Sequence, residues 1–306
     1  MGNINLNENA MLATLKVRGW NGTKHDLDAT EEIHERRGAD AESGRYTKRL
    51  VSRAALKPIR KIGDEARSLH YKLTMPWDDG SYRLLPVKVY DRYTKFMDDY
   101  ANQRLQALQD FIDEYPQHIE AARETLGDLI DRGDYPAVAK LQARITMSHR
   151  IRTVPHSDHF VCDFLAKREI ANIKRDIDRQ VQSQIANAVQ SLYQRVGKAV
   201  NGFVDRLQPG KDGKDKIFHE STVENLREII ELMPSLNITG DKVLTAMTAE
   251  LEAALNGATA SQLRRTSSDF DGGKREKVAV NMSRLHSKFA GYFAQTENLT
   301  GDVRDD

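Results

Sequence analysis

Apolar residues recur every three or four positions from Glu169 to Leu207: Ile170, Ile173, Ile177, Val181, Ile185, Val189, Leu192, Val196, Val200, Phe203 and Leu207. That spacing puts them on one face of a single helix. No proline interrupts the stretch, and Gly197 and Gly202 fall only near its end. At 1.5 Å per residue the helix is expected to be roughly 60 Å long. A small core cannot cover such a rod, so other helices of this chain, or of a second copy, must lie along it.

The rest of the pattern is also mostly helical. Met11, Ala13, Leu15 and Val17 alternate with Leu12, Thr14, Lys16 and Arg18, which predicts a strand with one buried face. Trp20 and Asn21-Gly22 mark a turn or hairpin. Asp28 with Glu31 reads as a capping box for a short helix that stops at Gly38. Residues 39–44 form a polar loop, and Tyr46 to Val51 fits either a strand or a helix start. Ser52 then caps a helix to about Met75, with Leu56, Ile59, Ile62, Ala66, Leu69 and Leu73 on its apolar face. Pro58 argues for a later start or a kink, and Pro76 ends the helix.

A turn over residues 77–81 and a strand at 82–85 follow. Val89, Tyr93, Phe96, Tyr100, Leu105, Leu108, Phe111 and Tyr115 mark a second long helix from about 87 to 115. Pro116 either breaks it or opens a new helix at its first position, the next helix reaches about Ile130, and Asp134 with Pro136 just inside caps the one after. Residues 151–154 and 160–164 are strand candidates around the turn Pro155-His156-Ser157-Asp158. After the central helix, the breaker-rich run from Pro209 to Lys216 is the expected domain boundary. Ser221 and Glu224 form a second capping box, and helices are expected at about 222–233, 241–256 and 274–294. The Ser/Thr/Gly-rich segment 258–273 reads as mobile and residues 301–306 as a frayed acidic tail. No internal repeat of solenoid or propeller type is present. The expected fold is therefore mainly α (α+β). It has a long-helix core over residues 1–208 with a small β-element, a linker at 209–220, and a helical C-terminal region at 221–306.

Composition narrows the function classes. The 306 residues are 39% hydrophobic and 30% charged, so the surface is highly charged and the core comes from one-sided elements. The net charge of +1 gives no bulk pull toward nucleic acid or membrane. The single cysteine, Cys162, permits no internal disulfide and suits a reducing interior. The N-terminus lacks a basic start before an apolar stretch, so no signal peptide is expected. No apolar run approaches the roughly 18 residues of a membrane span. The Asn-x-Ser/Thr sequences at Asn21, Asn237, Asn281 and Asn298 are then chance matches, and Leu6 stands where myristoylation of Gly2 would want Ser or Thr.

One further pattern is carried by Gly44-Arg45-Tyr46-Thr47-Lys48, Leu69-His70-Tyr71, Leu73-Thr74-Met75-Pro76-Trp77, Gly80, Arg83-Leu84-Leu85-Pro86, Asp134-Tyr135-Pro136 and Val154-Pro155. In order and spacing these helix ends and turns resemble a family of mainly helical proteins encoded by tailed bacteriophages and related prophages, over about residues 11–207. The resemblance implies phage origin and expression in a bacterial cytoplasm. It brings no catalytic signature and implies no reaction.

Two constellations could carry chemistry. His156, His159 and Cys162 offer three soft ligands within seven residues, with His149, Asp158 and Asp163 nearby, and zinc accepts such donors. Against this, a strand at 160–164 would point His159 and Cys162 to opposite faces, and no second Cys/His pair sits at finger spacing. A histidine-rich turn beside a buried cysteine is the plainer reading. Charge segregation is the stronger signal. Between Arg45 and Lys72 stand nine bases (Arg45, Lys48, Arg49, Arg53, Lys57, Arg60, Lys61, Arg67, Lys72) against Asp64 and Glu65. Arg53, Lys57, Arg60 and Lys61 share a helical face, with Tyr46, Tyr71, Trp77 and Tyr82 near in sequence. Lys140, Arg144, His149, Arg150 and Arg152 make a second cluster. Basic faces with aromatics can follow a phosphate backbone and stack bases. Residues 98–134, with ten acids and three arginines, offer the same bases an internal or intersubunit match instead.

Gly210-Lys211-Asp212-Gly213-Lys214 superficially resembles a phosphate loop, but the spacing is wrong and no strand precedes it. The hydrolase, zinc-protease and dinucleotide-binding motifs are missing from the sequence. Asp78-Asp79 and Asp98-Asp99 read as turn and surface acids, and Arg264-Arg265-Thr266-Ser267-Ser268 as a linker. The sequence thus points to a non-enzymatic phage accessory protein without a cofactor. Its most concrete activity is DNA binding, single-stranded DNA included, through the two basic clusters. The alternative is a protein–protein scaffold or host-factor inhibitor. Long helices with sparse loop chemistry favour a homo-oligomer, and no membrane is called for.

Overall fold

The computed structural model describes residues 6–78, 80–208, 216 and 218–294. Residues 209–215 and 217 of the expected linker, with the Gly210–Lys214 loop, the acidic tail and Asp79 lie outside the described residues, while Phe218 at the linker's end is buried. The elements begin with α1 (Leu6–Asn9), β1 (Ala10–Val17), β2 (Thr23–His25), α2 (Leu27–Arg37), β3 (Thr47–Arg49), α3 (Lys57–Leu73), β4 (Met75–Pro76) and β5 (Arg83–Pro86). They continue with α4 (Tyr90–Asp113), α5 (Tyr115–Leu126), α6 (Val138–Arg144), β6 (Met147–Thr153), α7 (Lys167–Leu207), α8 (Glu220–Leu236), α9 (Lys242–Leu255), α10 (Ala260–Leu263) and α11 (Gly272–Ala294). The chain is mainly α with a small β-element. Among the described residues no helix is long and apolar enough to cross a membrane.

The chain divides into two compact units, and not at the expected boundary after 208. The α7 unit takes Met1–Ala13, Leu73–Tyr90 and Ile151–Asp306, and the α3–α4 unit takes Thr14–Lys72 and Asp91–Arg150. The long helices α3 and α4 therefore share one unit, while α7 belongs to the other with α8 to α11. A four-stranded sheet runs β4-β5-β1-β6, and β1 meets β5 antiparallel with Leu12 opposite Leu84. β2 and β3 form a separate ribbon with Lys24 opposite Lys48. The turn after Trp20 thus feeds β2 to β3 and closes no hairpin with β1.

In the α3–α4 unit, α3 buries Ile59, Ala66, His70 and Leu73 on one face. Leu56 and Ile59 join Trp20, Leu50, Leu108, Phe111, Leu141 and Ile145 in one core, with Tyr115 against the Trp20 ring at 6.3 Å. Helix α3 starts at Lys57, five residues after Ser52, whose hydroxyl accepts from the Ala55 N–H in the turn before it. Pro58 then sits in the first turn, where its missing N–H costs nothing. Gly63 is needed for close approach: a Cβ there would lie 2.3 Å from the Arg104 guanidinium. Arg104, buried on α4, crosses α3 at that point to donate to the Ile59 carbonyl at 3.2 Å and the Arg18 carbonyl at 2.5 Å.

Several expected helix ends moved. Asp26, not Asp28, caps α2 by accepting from the Ala29 N–H at 3.0 Å, and Gly38 closes it in the left-handed region. α5 ends at Leu126 short of Ile130, because Gly127 adopts positive φ. α6 is capped at Ala137, and Asp134 is drawn into an ion cluster instead. α8 begins after His219 with no side-chain cap, so the Ser221 box does not form. No strand occupies 160–164. The 258–273 segment holds α10, with Ala258, Ala260 and Leu263 buried.

The α7 unit is built on the long helix expected from Glu169, which begins two residues earlier and runs unbroken from Lys167 to Leu207, 41 residues. Its second half buries Ala188, Leu192, Val196, Val200 and Phe203. α8 and α11 pack on α7, and α9 packs on α8 and α11. The Tyr193 hydroxyl donates to Asp241 at 2.9 Å, and the other oxygen of that carboxylate caps α9.

Candidate nucleic-acid interface

Strand alternation decides the first part of the basic segment. In β3, Thr47 is exposed and Lys48 is buried, because successive side chains leave opposite faces of a ribbon. The Lys48 ammonium sits 2.6 Å from Asp26 and 2.6 Å from Asp134, and donates to the Leu129 carbonyl at 2.8 Å. Lys24, its cross-strand neighbour, pairs with the other oxygen of Asp134. Two bases thus meet two acids; Lys48 is buried there, out of reach of any phosphate, while the Lys24 side chain stays half exposed. This corrects the expectation for Lys48.

The titrations follow. The hydrogen bond from Lys48, helped by the Ala29 N–H, holds the Asp26 carboxyl below its usual range. Burial raises that of Asp134, but bonds from Lys24 and Lys48 outweigh it and the net shift is downward. For Lys48, burial disfavours the charge, and the bonds to Asp134 and Asp26 reverse that and raise its pKa.

Helix periodicity decides the second part. Lys57, Arg60, Lys61 and Asp64 lie opposite the buried face of α3 and are exposed, with Arg53 in the turn before them. Arg53, Lys57, Arg60 and Lys61, with Asp64 and Glu65, line one open depression of about 570 Å³. Arg60 donates to the Asn21 carbonyl at 2.9 Å, and Lys61 lies 3.7 Å from Glu65. Arg67 pairs with Asp64 at 2.8 Å. Arg53 and Lys57 have no ion-pair partner among the described residues. Arg45 is exposed and Arg49 half-buried.

The second cluster is split. Lys140 and Arg144 are exposed one turn apart on α6, and Arg150 is exposed on β6 of the same unit. Arg152 lies in the α7 unit with its guanidinium 3.5 Å from the centre of the Tyr82 ring. His149 turns inward, edge-on to Tyr93 and 3.9 Å from Asp98. Of the aromatics, Trp77 is buried and offers no stacking face. Tyr71 is 56% exposed and continues the α3 basic face at helical spacing.

The acidic stretch 98–134 matches few of these bases. Asp134 takes Lys48, while Glu120 is held by Arg123 and Arg132, and Asp110 and Asp113 by Gln106 and Gln109. At the histidine turn, His156 and His159 stand 5.7 Å apart ring to ring. The Asp158 N–H donates to the His156 ring, and Cys162 is a free, half-buried thiol. Among the described residues no three His, Cys, Asp or Glu side chains converge as a metal site would require.

Sequence reasoning missed the buried pair of His70 Nδ1 and the Tyr93 hydroxyl, 2.9 Å apart. Burial pushes the Tyr93 phenol far up, so it stays protonated. The position of His70 among the apolar residues of α3 was the available signal. No known protein family, curated protein or solved structure matches this chain.

Proposed function

We propose that the protein is a non-enzymatic phage accessory protein that holds single-stranded DNA along the exposed face of α3. One observation carries the reading: Arg53 and Lys57 stand solvated, without ion-pair partners among the described residues, beside Arg60 and Lys61 on a single surface. Cations so placed release counterions when a phosphate backbone replaces solvent. Tyr71 at the far end of the face supplies a ring on which an unpaired base can stack, which favours single strands over duplex. Lys140 and Arg144 extend the basic surface of the same unit. The phage assignment rests on the sequence resemblance.

The test is fluorescence anisotropy with short oligonucleotides over a salt series. Binding that weakens steeply with salt, and is tighter for single strands, supports the reading. No binding at low salt refutes it. Converting Arg53, Lys57, Arg60 and Lys61 together to Gln should abolish binding and leave the melting curve unchanged. If that variant melts instead, the face is structural.

A second reading is a protein partner with an acidic surface. It is favoured by Asp64 and Glu65, which interrupt the face and suit a mixed-charge partner better than a phosphate backbone. Pull-down from host lysate after nuclease treatment separates the two, since only a protein partner is retained.

A further inference from the structure

α7 carries an apolar repeat of 11 residues. Ile170, Val181, Leu192 and Phe203 recur at that spacing, as do Ile185, Val196 and Leu207. Eleven residues make 3.67 per turn on this pattern, so the stripe stays on nearly one face of the helix. In the second half that face is closed: Leu192, Val196, Val200 and Phe203 are each at most 1% exposed. In the first half it is not. Ile170, Ile173, Ile177, Val181 and Ile185 all remain partly exposed, and no residue from Lys167 to Asn187 is buried. Just before the helix, Val161 is 79% and Phe164 99% exposed. The same stripe therefore has its own chain for cover over one half and lacks full cover over the other.

We propose that a second copy of this chain covers the first half of α7, as a parallel, in-register, two-stranded coiled coil over about residues 167–188. The charges beside the stripe choose both occupant and direction. With Ile170, Ile173 and Ile177 on the seam, Glu169 and Asp176 flank one edge, and Lys167 and Lys174 the other. In a parallel pair, two-fold symmetry lays each edge against the opposite edge of the second helix. Glu169 then meets the partner's Lys174, and Lys174 the partner's Glu169. In an antiparallel pair each edge meets itself, acid against acid and base against base. Glu169 accepts from the Ala166 N–H through Oε2 at 3.2 Å, which leaves Oε1 for the second copy. Only the parallel arrangement also brings Phe164 and Val161 of both copies to the same end of the seam. The covered length is six turns, about 33 Å, or two of the 11-residue repeats. This surface lies on a different unit from the α3 basic face and does not depend on the nucleic-acid reading.

The test uses the full chain. Sedimentation at tens of micromolar should give twice the monomer mass of 34.7 kDa. A monomer or a three-stranded mass overturns the proposal. Glu169→Lys and Lys174→Glu should each weaken the dimer by at least about tenfold, and the double exchange should restore it. Circular dichroism confirms that the helix survives each change. If the double exchange stays as weak as the singles with the helix intact, the parallel register is wrong. Ile173→Asp with Ile177→Asp should give a folded monomer, and a dimer that persists through that change also overturns the proposal.

Discussion

The α7 unit and the α3 face use arginine in opposite ways. In the α7 unit four guanidinium groups turn inward onto backbone carbonyls at or near element ends. Arg275, 6% exposed, donates to the carbonyls of Leu207 and Leu263, the last residues of α7 and α10. Arg264 reaches the Phe218 carbonyl at 2.8 Å and Arg227 that of Ala258 at 2.9 Å. Arg195 donates to the Thr74 carbonyl, and burial, with Arg83 nearby, pulls its pKa down to about 10. Arg275 satisfies carbonyls that a helix leaves unpaired at its C-terminus, and Arg264 and Arg227 satisfy carbonyls of the connecting segments. On the α3 face, Lys57 and, in the turn before it, Arg53 find no such carbonyl among the described residues and stand in water. The difference lies in the neighbours and not in the residue type. A count of bases along a chain therefore overstates its binding surface, and only those left in solvent can meet a phosphate.

Lys48 is the sharpest challenge to that contrast, because it belongs to the basic segment and yet behaves like the inward class. Lys48→Ala should cost about 3–5 kcal/mol of unfolding free energy, since it strands the Asp26 and Asp134 carboxylates inside. Denaturant titration measures this, and a loss under about 1 kcal/mol would move Lys48 back to the surface group. Next in size is Arg275→Ala, expected to cost about 3 kcal/mol by removing charge-assisted bonds to two buried helix ends. A thermal melt unchanged by that variant would undo the inward class itself. Gly63→Ala should cost about 1–3 kcal/mol, because the new methyl group displaces the buried Arg104 guanidinium.

Arg53→Gln with Lys57→Gln closes the series at the small end. Stability should stay within about 0.5 kcal/mol of the parent. The salt slope for DNA binding should fall by about 2. If stability falls with binding, the outward class is not separate.

The ion cluster also sets a pH response with a definite sign. Asp26 and Asp134 titrate lower in the folded protein than their ordinary 3.8, so their contribution is complete above that value. It is lost as pH falls through their folded values. Lys48 titrates above its ordinary 10.5, so its share is complete below 10.5 and is lost as pH rises through the folded value. Lys48→Ala should abolish the alkaline loss, read as melting temperature against pH.

Much of this was legible along the chain. The α7 stripe, the presence of β1, the Gly38 stop and the two-sided character of α3 all follow from local periodicity and local breakers, but β1 is buried on both faces over Leu12, Ala13 and Thr14 and not on one. The misread points share a cause. Asp134 looks like a helix cap in sequence, yet Lys24 and Lys48 from a distant ribbon claim it. Residues 160–164 have strand-like composition, but no neighbouring strand pairs with them.

The sequence by itself determined where helices run and which stripe of each is apolar, because hydrogen bonds and side-chain spacing within a helix involve residues three or four apart. Tertiary structure alone decided which stretch of a stripe is covered, which base is withdrawn and which carbonyl an arginine caps. Those outcomes depend on groups that the fold brings together from far apart in the chain. Lys48 and Asp134 stand 86 positions apart in sequence and 2.6 Å apart in space.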